Sequence, residues 1–145
     1  MTKGPGDEGR PLVIGIGASA GGLTAFTKFF GAMPAENGMA FVLIQHLDPT
    51  HESLLVPLLA KQTGMKVVEA SDGLSVAANC VYVIPPDATL EIRGGVLRLV
   101  RPAPPRDLRR PIDTFFLSLA QDQGENAVCI VLSGSGSDGS GGLRT

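Results

Sequence analysis

The sequence predicts an α/β fold: a doubly wound, mostly parallel sheet with a β-hairpin insertion, layered α/β/α. Three observations carry that expectation. The apolar runs Leu12–Ile16, Met39–Ile44 and Ala127–Leu132 show no polar alternation, as in strands covered on both faces. Stretches of helical spacing lie between them, the alternation that builds a parallel sheet. Each run empties into a loop rich in glycine or polar side chains, where open α/β sheets form their ligand crevices.

Residues 1–11 read as a disordered tail, polar and glycine-rich, without the apolar segment of a secretion signal. Leu12–Ile16 is the first strand. Leu23, Phe26, Phe29, Phe30 and Met33 then share one helical stripe, stopped by Pro34. Asn37-Gly38 turns the chain into the second strand, Met39–Ile44. A helix carrying Leu54, Leu55, Leu58 and Leu59 follows, capped by Thr50 or Ser53 and ended by Gly64. Pro57 fits the first turn, where N–H groups lack intrahelical partners, if Ser53 is the cap, and kinks the helix otherwise. Lys66–Glu69 is a short strand, Asp72-Gly73 a turn, and Val81–Ile84 a strand stopped by Pro85-Pro86. Leu90–Arg93 and Val96–Leu99 alternate on either side of Gly94-Gly95, a hairpin with one wet face that decorates the main sheet. The arginine- and proline-rich stretch 101–111 is a solvated loop or a local anion contact. From Pro111, Ile112, Phe115, Phe116 and Leu119 follow helical spacing to Gly124.

The 145 residues suit one domain, and 43% hydrophobic with 18% charged residues is a globular balance. A net charge of −2 supplies no basic field for nucleic acid. No apolar run reaches the ~20 residues of a membrane span. Cys80 and Cys129 sit in apolar runs and read as buried hydrophobes, not as a disulfide. A cytoplasmic protein is the expectation, with no nucleic-acid partner and no membrane insertion.

Chemistry concentrates in three loops. The first, Gly15-Ile16-Gly17-Ala18-Ser19-Ala20-Gly21-Gly22, fits three readings. Gly15-x-Gly17-x-x-Ala20 matches a loose dinucleotide fingerprint. Gly17-x-Ser19-x-Gly21 matches a nucleophile elbow. A plain strand-to-helix turn is the third. The second loop, Gln45–Pro49, carries His46, and the third, Ser133–Gly142, carries Asp138. A serine needs a base within hydrogen-bond reach, and an acid on the far imidazole nitrogen fixes the tautomer. The chain has two histidines, so a serine triad draws its base from His46 or His51. Asp48, Asp87 and Asp113 rival Asp138 as the acid. A metal site built on His46, Asp48 and His51 lacks a further ligand. The dinucleotide reading lacks an acid at the end of the second strand, and the order Ser, His, Asp differs from that of α/β-hydrolases.

That order, with these loops, resembles the CheB-type protein-glutamate methylesterases of bacterial chemotaxis. The matching segments are 15–22, Gln45-His46, Arg110-Pro111-Ile112-Asp113 and Ser133-Gly134-Ser135-Gly136-Ser137-Asp138-Gly139. His46-Leu47-Asp48-Pro49-Thr50-His51 and Tyr82-Val83-Ile84-Pro85-Pro86 look closest to the branch fused to a CheR-type methyltransferase. The resemblance runs over residues 12–145. It implies Ser19 as nucleophile, His46 as base and Asp138 as orienting acid, with oxyanion donors in the backbone N–H groups of Ala20 and Ser135. Better-known members carry threonine and methionine at those last two positions, changes that leave the backbone donors in place. The implied substrate is a methylated chemoreceptor-like protein, with deamidation of receptor glutamine as a further activity and no cofactor or metal. The resemblance also implies a domain that continues past Thr145, so the chain reads as its C-terminally incomplete part, without the receiver domain of the better-known members.

Overall fold

The computed structural model describes residues 11–18, 23–45, 55–86, 88–100 and 111–133. In chain order the elements are β1 (Leu12–Ala18), α1 (Leu23–Gly31), β2 (Met39–Gln45), α2 (Leu55–Ala60), β3 (Lys66–Glu69), β4 (Leu74–Ser75), β5 (Cys80–Val83), β6 (Thr89–Arg93), β7 (Val96–Val100), α3 (Pro111–Gln123) and β8 (Ala127–Ser133). A 3-10 turn over Gly124–Asn126 joins the last two. The main sheet is parallel, in the order β3-β5-β2-β1-β8. A small antiparallel sheet, β4-β7-β6, lies apart from it.

Two of the three uniformly apolar runs, in β1 and β2, become central strands with both faces buried; the third, in β8, lies at the end of the described sheet and is only partly covered, with Val128 exposed. On one face, Ile14, Ile16, Phe41, Leu43, Val81 and Val83 pack under Phe26 and Phe30 of α1 and Leu55 and Leu59 of α2. Phe30 meets Phe29 and Phe41 edge-on, at centroid distances of 5.0 and 5.1 Å, each pair adding about 0.5–1.5 kcal/mol beyond area burial. On the other face, Val13, Val42, Ile44 and Tyr82 meet Ile112, Phe115, Phe116 and Leu119 of α3, with Leu90, Ile92 and Leu97 of the small sheet. This is the three-layer arrangement that the sequence leads one to expect.

The hairpin stands off the main sheet, as its alternation implies. Gly94 and Gly95 have φ of +60° and +74°, the pair of left-handed residues that a tight two-residue hairpin needs. α3 grips this hairpin at two heights. Ser118 Oγ accepts the Ile92 N–H at 3.1 Å and donates to the Phe115 carbonyl at 2.8 Å. One turn on, the Asp122 carboxylate accepts the N–H groups of Gly94 and Gly95.

Three details depart from the sequence expectation. β4 is a two-residue strand against β7 that has no room for a periodic signal. α1 ends at Gly31, short of Met33. The cysteines are free, as expected, but half-buried rather than buried, because Cys80 opens β5 and Cys129 lies on β8, whose side chains are less covered than those of β1. Pro57 is the exposed third residue of α2, a first-turn position.

Candidate active site

The winding of the sheet locates the crevice. From β1 the chain winds outward through β2, then comes back by way of α3 to lay β8 on the opposite side of β1. The direction of winding therefore reverses between β1 and β8, and in open α/β sheets ligands bind outside the carboxyl ends of strands at such a switch. Register brings the strand ends level: Ala18 pairs with Gln45 on one side and with Ser133 on the other. With ~4.8 Å between neighbouring strands, the three exits span ~10 Å. Ser19 follows Ala18 and His46 follows Gln45, while Ser135 and Asp138 lie two and five residues beyond Ser133. Those four residues and Ala20 lie outside the described residues, as do His51, Asp48, Asp87, the two candidate caps Thr50 and Ser53, and the arginine-rich stretch. Asp113, half-buried in the first turn of α3, is a carboxylate at a helix start, where the helix dipole favours it.

The glycines of β1 have a packing cause. A Cβ on Gly17 would stand 2.6 Å from Cγ2 of Ile112, 2.9 Å from its Cδ1 and 3.0 Å from its Cγ1. A Cβ on Gly15 would stand 3.1 Å from both Leu119 and Phe116 and 3.2 Å from Phe115. Gly15 and Gly17 point to the same face of the strand, so together they form a groove that seats α3. Close helix approach, rather than room for a pyrophosphate, is what the described half of the Gly-x-Gly pattern supplies here. The helical spacing of Ile112, Phe115, Phe116 and Leu119 is evident in the sequence, but its match to the glycines is not. Two glycines at alternate positions of an apolar strand were the available signal.

Elsewhere on the same sheet, Cys129 pairs in register with Gly15. Burial pushes its thiol above the ordinary value, so it stays protonated near neutrality and is a poor rival nucleophile. Among the described residues no group of three or more His, Cys, Asp or Glu gathers to hold a metal ion. No described helix is long and apolar enough to cross a membrane.

Comparison with known proteins agrees with this geometry. The family model described as CheB methylesterase matches residues 14–145. A protein-glutamate methylesterase/protein-glutamine glutaminase of Rhodospirillum rubrum is 33% identical over 144 residues, 95% of this chain and 37% of the relative. One from Caulobacter vibrioides is 36% identical over 137 residues, 92% of this chain and 40% of the relative. The chain thus spans about two fifths of the length of such relatives. The crystal structure of the Thermotoga maritima CheB methylesterase catalytic domain superposes with a TM-score of 0.80 at 25% identity, over 92% of this chain and 73% of that domain. A match of that extent in sequence, joined to the same arrangement of strands and helices, means that the chain belongs to the CheB methylesterase family.

Proposed function

We propose that the chain is the hydrolase part of a chemoreceptor-modifying protein, cleaving glutamate γ-methyl esters with Ser19, His46 and Asp138. His46 takes the proton from Ser19 as the oxygen attacks the ester carbonyl. The backbone N–H groups of Ala20 and Ser135 receive the oxyanion, and the imidazolium returns its proton to the departing methanol. Water, activated by the same imidazole, then cleaves the acyl-enzyme and leaves glutamate. Asp138 holds the tautomer and stabilises the imidazolium. The same attack on a glutamine side chain releases ammonia, the second activity named for the relatives. The reaction takes no cofactor. The substrate is a methylated chemoreceptor-like protein, a CheR-type methyltransferase supplies its esters, and the setting is cytoplasmic.

The observation that supports this most is the shared rung of Ala18, Gln45 and Ser133. It starts the three loops side by side, although they are far apart in sequence. The exits run in the order imidazole, hydroxyl, carboxylate, so the acid has to reach across. Five residues from Ser133 to Asp138 can span up to ~17 Å, ample for three strand positions.

Methanol release from methylated receptor tests the reading. Ser19→Ala is expected to lower it at least 10³-fold, the scale on which triad members act, with an unchanged circular dichroism spectrum. Full activity in that variant rules out Ser19 as the nucleophile. Receptor binding by the unsubstituted chain without any methanol release would make it an interaction module instead.

A further inference from the structure

We infer that Ile112 is a positioning residue for the nucleophile. It is wedged under the last strand residues before Ser19, and the hairpin holds it at that height through α3. The inference rests on the reading of Ser19 given above.

The contact is close and has nowhere to give. Ile112 is 2% exposed. The three side-chain carbons Cγ2, Cδ1 and Cγ1 fill the space where a Cβ on Gly17 would stand. Cγ2 and Cγ1 are bonded to the Cβ of a β-branched residue, whose χ1 a helix holds to one strongly preferred rotamer, so relief comes chiefly from movement of the helix. Helix movement is opposed by the hairpin. Ser118 ties α3 to the Ile92 N–H, and Asp122 ties it to Gly94 and Gly95. On the opposite face, Ala18 is fully buried in the core that holds Ile16 and Phe26. The two residues ahead of Ser19 are thereby clamped from both sides: Gly17 from below by Ile112, Ala18 from above.

Such a clamp matters because catalysis depends on sub-ångström placement. A displacement of 1 Å, even one caused away from the chemistry, costs about 10²-fold in rate. A methyl added at Gly17 forces the strand end and α3 apart by several tenths of an ångström or more. A methyl removed from Ile112 lets the strand end settle into the gap. Both changes act on the nucleophile without touching the substrate.

The test uses the 145-residue chain, with a serine-reactive phosphonate to titrate competent sites and methanol release to measure turnover per titrated site. Gly17→Ala is expected to lower kcat per site by about tenfold or more while KM stays within twofold. Removing all three clashing carbons in the double variant Gly17→Ala/Ile112→Ala is expected to recover kcat above that of Gly17→Ala. Ile112→Val, which deletes Cδ1 alone and is the mildest change, is expected to lower kcat severalfold and to slow phosphonate labelling equally. A merely structural role would lower the titratable fraction and leave kcat per site unchanged, and that result overturns the inference. So does a double variant no better than Gly17→Ala, or an Ile112→Val chain with full kcat. If the unsubstituted chain neither reacts with the phosphonate nor releases methanol, the nucleophile assignment itself fails, and this inference falls with it.

Discussion

Replacing Ser118 by alanine isolates the bond that fastens the hairpin to α3. Among the described residues β6 is an edge strand of the small sheet, paired with β7 on one side. The N–H of Ile92, a residue 1% exposed, points away from that sheet and is accepted by Ser118 Oγ at 3.1 Å. Alanine leaves this buried donor without its acceptor, a loss of about 1–3 kcal/mol. Two effects work the other way: alanine has the better helix propensity, by about 0.5 kcal/mol, and it frees the helix from the hydroxyl's bond back to the Phe115 carbonyl. The net expectation is a destabilisation of about 1–2 kcal/mol. For a chain of this size that lowers Tm by roughly 2–8 °C. Urea titration followed by circular dichroism measures it through the midpoint, with the slope unchanged. Amide exchange supplies the local signature: the Ile92 N–H, protected in the parent, should exchange at least tenfold faster in the variant. A change below about 0.3 kcal/mol together with undiminished Ile92 protection would show that this hydroxyl is not what closes the edge of β6.

Two further expectations come from groups that burial perturbs. Tyr82 is the only tyrosine and the chain has no tryptophan, so absorbance at 295 nm titrates this phenol alone. Burial, more than any other cause, raises it from its ordinary value of 10.0; Cys80 adds to the shift, and the Ala77 N–H opposes it. The folded state therefore holds this proton more tightly than the unfolded state does. Its contribution to stability is intact below pH 10 and is lost as pH climbs through the higher folded value; a folded midpoint at or below 10 contradicts this. For Cys129, whose thiol burial also raises, iodoacetamide at pH 7 should label the native chain at least tenfold more slowly than the urea-unfolded chain, as read by peptide mass. Equal rates would mean the thiol is not shielded.

Much of the fold was legible because the strands are chemically blunt. Runs such as Phe41-Val42-Leu43-Ile44, short and bounded by turn residues, read as strands buried on both faces, and Gly94-Gly95 between alternating segments reads as a hairpin turn. The pieces that escaped notice owe their existence to distant partners. β4 is two residues held by pairing with Leu97 and Val96. The Asn37-Gly38 turn was visible, but not the Asn79 side chain that receives both of its N–H groups at 2.8 and 2.7 Å from 42 and 41 residues away. At the candidate site, sequence pattern pointed to the loops, and the register supplied what no local pattern contains: Ala18, Gln45 and Ser133 arriving level. The seating of Ile112 on Gly17 escaped for the same reason. Each half looked complete by itself, one as a loop motif and the other as an ordinary apolar helix.

The ladder between β1 and β8 loses step just before it ends. Gly17 stands opposite Val131, yet Ala18 stands opposite Ser133, so Leu132 is supernumerary. A surplus residue of this kind sharpens the local coil of a strand and swings whatever comes next onto a new heading. Excising Leu132 would do more than shorten β8. It would set Ser133 directly after Val131, in unbroken step with Gly17 and Ala18, and so remove the extra coil from the rung on which Ala18, Gln45 and Ser133 meet.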